Sequence, residues 1–146
     1  MSLDELYKEV ILDHYQNPRN RGRLDSPDVA TRGHNPLCGD EVELALNIED
    51  DTVTAIAFGG RGCSISQASA SMLTESIKGQ TLEQAEQLAD AFKAVMTANG
   101  PTEALGEAED LQALQGVKRY PVRVKCALLP WTALIEAVDL YRKRNV

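Results

Sequence analysis

Between residues 41 and 48 the large apolar side chains fall on every second position. Val42, Leu44, Leu46 and Ile48 alternate with Glu41, Glu43, Ala45 and Asn47. A period of two puts one set on one face of an extended chain, so the stretch reads as a half-buried strand. Glu49-Asp50-Asp51 reads as a turn, and the β-rich run from Thr52 to Phe58 as the returning strand of a hairpin. Gly59-Gly60-Arg61-Gly62-Cys63 then forms a strand end or tight turn, since glycine reaches backbone angles closed to other residues.

The flanking segments carry helical spacing instead. Ser2 with Glu5 is a capping box ahead of Leu3, Leu6, Tyr7, Val10, Ile11 and His14, and the helix should stop near Asn17-Pro18. Residues 19–37 show no period and read as a loop. Ser64 with Gln67 opens a second helix through Ile65, Ala68, Met72 and Leu73, ending at Gly79. Thr81 with Gln84 opens a third through Leu82, Ala85, Ala89, Phe92 and Met96, closed by Gly100-Pro101. A short helix is expected at 109–115. The last starts at Pro121, with Leu128, Trp131, Ile135 and Val138 as its apolar stripe and Arg142, Lys143 and Arg144 suiting its C-terminal dipole. Pro130 falls inside it, where it removes a donor to the Cys126 carbonyl and invites a kink. Helix, strands, then helices predicts an α+β fold: a small antiparallel sheet of about three strands packed with about five helices.

At 146 residues and 43% hydrophobic content, the chain is sized for one domain spanning 1–146. A net charge of −7 argues against a general nucleic-acid binder, which needs a basic face. No apolar run approaches the ~20 residues of a membrane span. The acidic, amphipathic start does not resemble a secretory signal, so the expected location is the cytoplasm.

The three cysteines are Cys38, Cys63 and Cys126. An odd count argues against a disulfide framework. They can be small buried hydrophobes, or thiolates serving a metal. In Cys38-Gly39-Asp40, a thiolate and a carboxylate two residues apart can face one ion. Cys63 precedes a helix N-terminus, and Cys126 has Arg123 and Lys125 nearby; both settings favour a thiolate. Three thiolates and a carboxylate suit tetrahedral zinc, and Arg123, one turn before Cys126, can offset the excess negative charge. The cysteines are 25 and 63 residues apart, so only folding can bring them together, and spacing alone leaves both readings open. Among other residues, His34 reads as a loop histidine and His14 as packing or solvent-facing. Trp131 reads as a core anchor, and the acidic run from Glu103 to Asp110 as a solvated face. Arg19, Arg21 and Arg23 read as an exposed cluster able to meet an acidic partner.

Asn35-Pro36-Leu37-Cys38-Gly39-Asp40, Gly60-Arg61-Gly62-Cys63 and Arg123-Val124-Lys125-Cys126 resemble the U-type iron–sulfur cluster assembly family, and the likeness runs over nearly the whole chain. Within it, Lys125 stands where the IscU-type scaffold branch has a histidine, and residues 97–117 form a longer segment. Both features resemble the SufU branch of zinc-dependent sulfurtransferases. The resemblance implies zinc held by Cys38, Asp40, Cys63 and Cys126, with Cys38 as the sulfur acceptor; the electrostatic support from Arg123 is read from its charge and its place one turn before Cys126. It implies a SufS-type, pyridoxal phosphate-dependent cysteine desulfurase as sulfur donor and a SufBCD-like scaffold complex downstream. The alternatives are an IscU-type scaffold carrying a [2Fe–2S] cluster, and a structural zinc domain used for interaction.

Overall fold

A computed structural model of the chain describes residues 3–36, 39–98, 100–106 and 109–144. Cys38 and the Ser2 cap lie outside these residues. The elements are α1 (Leu3–Gln16), β1 (Val29–Asn35), β2 (Asp40–Glu49), β3 (Thr52–Arg61), α2 (Ser64–Ile77), α3 (Leu82–Ala98), α4 (Glu109–Ala113) and α5 (Pro121–Arg144). Short 3-10 turns at Thr102–Leu105 and Leu114–Val117 flank α4. The fold is α+β, as the sequence predicts.

The sheet is an antiparallel meander in the order β1-β2-β3. The alternation in β2 does what its period requires: Val42, Leu44, Leu46 and Ile48 are buried on one face. The hairpin closes with a two-residue turn, Asp50 at φ 52° and Asp51 at φ 58°. Two left-handed central residues define a type I′ turn, whose twist matches that of the strands. α5 covers the inner face over β1 and β2, and α2 covers it over β2 and β3. Behind them α3 packs on α5 and α1 on α2. Phe58, Phe92, Leu73 and Leu134 fill the space between these layers. Each such side chain contributes roughly 1.5–3 kcal/mol by leaving water. Trp131 is the core anchor expected of it, with its ring 5.1 Å from that of Phe92.

Three expectations need correction. Residues 29–35 are a strand, not loop. Their inward positions are Val29, Thr31, Gly33 and Asn35, so the period of two is present but carries one large apolar residue. Small residues are required there because α5 lies close: a Cβ on Gly33 would sit 3.1 Å from Leu129 Cδ1, and Thr31 Oγ1 donates to the Ala133 carbonyl at 2.8 Å. Second, Ser64 does not cap α2. Cys63 holds the N-cap position with extended angles and makes no side-chain capping bond. Third, the buried face of α5 is offset from the predicted stripe. Trp131 and Val138 lie within it, but Ala127, Ala133, Leu134 and Ala137 supply most of it, leaving Leu128 and Ile135 at its edge. The capping box at the start of α3 forms as read: Thr81 N–H donates to Gln84 Oε1 at 2.9 Å and Gln84 N–H to Thr81 Oγ1 at 3.1 Å.

Candidate metal centre

The site is assembled from three chain segments at one end of the sheet. Asp40 opens β2 and is 1% exposed. The turn before it is tied back by Gly39 N–H donating to the Asn35 carbonyl at 2.8 Å, with Gly39 at φ 70°. Across the sheet, β3 runs out through Gly60 and Gly62 into Cys63. A Cβ on Gly62 would lie 2.3 Å from Asp40 Oδ1, so only glycine lets this backbone pass the carboxylate. The approach places the Cys63 N–H 2.8 Å from Asp40 Oδ1 and its Sγ 3.5 Å from Asp40 Oδ2. One carboxylate thus holds both the backbone and the thiol of Cys63.

Cys126 comes from the second turn of α5 and is fully buried. α5 stays helical through Pro130, which keeps Cys126 on a rigid element. Its Sγ lies 3.7 Å from the Val122 carbonyl one turn back. The ligating atoms of Asp40, Cys63 and Cys126 all lie within 4.8 Å of one another. Arg123 reaches this group from the same helix. Its guanidinium pKa is raised above the ordinary value, first by the charge of the Cys63 thiolate and then by hydrogen bonding to it, with Cys126 adding to both effects. Arg123 is therefore the cation facing two sulfurs, although its own side chain is exposed.

Two thiols and a carboxylate converging on one point form a donor set that zinc accepts, with one position left for a fourth ligand. Cys38, two residues before Asp40, lies outside the described residues. His34 sits on β1 opposite Glu41 and is exposed, on the alternate positions to the inward Val29, Thr31, Gly33 and Asn35. It does not belong to the group around Asp40.

The sequence reading missed a second polar cluster. His14 is fully buried; its Nδ1 lies 2.8 Å from Ser71 Oγ and its Nε2 donates to Asp110 Oδ2 at 2.6 Å. Asp110, from the acidic run, is thus tied to α1 rather than simply solvated. The available signal was the place of His14 on the same helical face as Val10 and Ile11. The arginine cluster also divides. Arg19 pairs with Asp13 at 2.7 Å and lies 3.5 Å from Glu75, while Arg21 bonds to Gly60 and Gln67. These two side chains are thus tied to the fold, with Arg21 exposed as expected and Arg19 half-buried.

Helices on one face of a three-stranded meander, with two thiols and a carboxylate gathered at its end, define a small α+β protein built around a candidate metal centre. Set against known proteins, the chain belongs to the iron–sulfur cluster assembly family of NifU-like N-terminal domains, whose model matches residues 6–146. A relative named zinc-dependent sulfurtransferase SufU, from Bacillus subtilis, is 44% identical over 94% of this chain and 92% of its own length. One named iron–sulfur cluster assembly scaffold protein IscU, from Streptococcus pyogenes, is 41% identical over 93% of this chain and 84% of its own. The crystal structure of a nitrogen-fixing NifU-like protein (N-terminal) from Brucella abortus superposes with a TM-score of 0.89 at 28% identity, covering 98% of this chain and 99% of that one. No helix among the described residues is long and apolar enough to cross a membrane.

Proposed function

We propose that this chain is a zinc-dependent sulfur acceptor in iron–sulfur cluster assembly. In this reading it takes persulfide sulfur from a SufS-type cysteine desulfurase in the cytoplasm and passes it to a SufBCD-like assembly complex. The observation that carries the reading is the convergence of Asp40, Cys63 and Cys126 beside Arg123. The likeness to the Bacillus subtilis sulfurtransferase supports it. Cys38 supplies the fourth ligand and the accepting sulfur.

When bound, zinc holds its cysteine ligands as thiolates near neutral pH without redox chemistry of its own. The chain's residues do the rest. Asp40 fixes Cys63, and Arg123 offsets the charge of the sulfurs. In the transfer, the Cys38 thiolate attacks the terminal sulfur of the desulfurase persulfide. A new sulfur–sulfur bond forms on Cys38 as the donor's breaks, and the donor cysteine leaves as a thiolate. Sulfane sulfur moves with no net electron transfer, so no outside oxidant or reductant enters.

Metal analysis and turnover test this together. The protein should carry one zinc per chain and stimulate alanine release by a SufS-type desulfurase supplied with cysteine, and Cys38→Ala should abolish the stimulation. Iron with visible absorbance after anaerobic purification would instead support the [2Fe–2S] scaffold. Zinc without stimulation would support a structural domain.

A further inference from the structure

Arg21 sits on the segment after α1 and joins β3 through its backbone. Gly22 N–H donates to the Phe58 carbonyl at 2.9 Å, and Phe58 N–H to the Asn20 carbonyl at 3.1 Å. From that anchor the guanidinium passes over the Phe58 ring, 5.6 Å from its centroid. One of its terminal nitrogens donates to the Gly60 carbonyl at 2.8 Å and the other to Gln67 Oε1 at 3.0 Å. Gly60 lies three residues before Cys63, and Gln67 four after it.

Between those two acceptors Gly60 and Arg61 still pair with β2 and Ser64 opens α2, so Gly62 and Cys63 form the unpaired link, which Asp40 holds from one side. Gly60 and Gly62 stand at φ 120° and 155°, and a Cβ on Gly60 would lie 2.1 Å from the Glu41 carbonyl oxygen, so side chains are excluded there. Such backbone has the most freedom to lose. The helix start offers no capping bond from Cys63. Gln67 is buried, and its Nε2 has no hydrogen-bond partner among the described residues; the Arg21 bond to Oε1 is what orients its amide.

We infer that Arg21 is a positioning residue for Cys63: its guanidinium clamps the end of β3 to the first turn of α2 and so sets where the Cys63 sulfur points. The inference rests on the zinc reading for its consequence, since a misplaced Cys63 is a weakened ligand. A planar guanidinium can span two acceptors with two nitrogens, whereas a lysine ammonium is a single point on a flexible stem. Residues that hold a ligand from behind typically change metal affinity by tenfold or more.

The test compares wild type, Arg21→Met and Arg21→Lys in two assays that do not involve sulfur transfer. The first is the rate of zinc release to a chromogenic chelator. The second is the alkylation rate of Cys63 in metal-free protein, followed by mass spectrometry. Arg21→Met should release zinc about tenfold faster and alkylate several-fold faster at Cys63, with Arg21→Lys between it and wild type. Wild-type rates in both assays for Arg21→Met overturn the inference, including when its melting temperature has fallen, because Arg21 then serves stability alone. If wild type itself binds no zinc, the proposed function fails, and the alkylation rates alone decide for or against Arg21.

Discussion

Asp40 is a buried acceptor whose two oxygens both reach Cys63. Removing it therefore has two separable effects. In metal-free protein, Asp40→Ala strips the part-buried Cys63 N–H of its charged acceptor, and such a loss costs about 1–3 kcal/mol. Urea unfolding of the metal-free variant should show a loss in that range. With zinc present, the same variant lacks one ligand and should lose metal to a chelator far faster than wild type. Arg123 makes a contrasting case. Its raised pKa records attraction to the Cys63 and Cys126 thiolates, yet it is exposed and solvent-screened. The sign is plain: a raised pKa favours the charged form, and arginine is already charged at every working pH, so this contribution changes only when the thiols lose their charge. Arg123→Met should retain zinc and slow sulfur acceptance by about two- to fivefold, the scale of an exposed ion pair, with Arg123→Lys recovering part of the rate. A hundredfold loss would mean that Arg123 touches the transferred sulfur. Neither residue's partner could be read from spacing: Asp40 and Cys63 are joined only because β2 and β3 pair in the register that brings Glu41 opposite Arg61.

At the scale of elements, the junction between α2 and α5 depends on one hydroxyl. Ser69 Oγ donates to the Ala127 carbonyl at 2.6 Å and accepts from Trp131 Nε1 at 3.1 Å. Both partners are buried. Ser69→Ala should thus cost about 1–3 kcal/mol in denaturant unfolding, and more than Thr81→Ala, which removes an exposed cap worth about 1 kcal/mol. An unchanged midpoint for Ser69→Ala would show that water replaces the hydroxyl. The same scale explains what the sequence revealed. β2, the hairpin turn, the Thr81 cap and the Pro121 start were legible because local chemistry decides each one. β1 was hidden because its inward face reads Val, Thr, Gly, Asn, a pattern chosen by the closeness of α5 and not by hydrophobicity. The Ser64 cap was misread because the helix begins one residue earlier, with Cys63 at its cap. The cysteine and aspartate chemistry stood out in the sequence; the Arg21 clamp and the His14–Asp110 tie did not, since each joins residues whose proximity exists only after folding.

For the whole molecule, the candidate centre links the start of β2, the β3–α2 junction and the second turn of α5. A metal bound there ties together segments from both halves of the chain, and it can do so only in the folded state. Binding that excludes the unfolded chain stabilises by about 4 kcal/mol when free ligand is a thousandfold above its dissociation constant. At roughly 2–4 °C per kcal/mol for a domain of this size, zinc removal should lower the melting temperature by about 10 °C. Because the thiols must be deprotonated to bind, the gap between zinc-loaded and chelated protein should narrow as pH falls. Asp40→Ala should shrink the gap at every pH, whereas Thr81→Ala, remote from the centre, should lower both curves and leave the gap intact. A chelator that strips one zinc per chain without moving the melting temperature would place the metal outside this pocket, because an ion joining three separate segments cannot leave without loosening them.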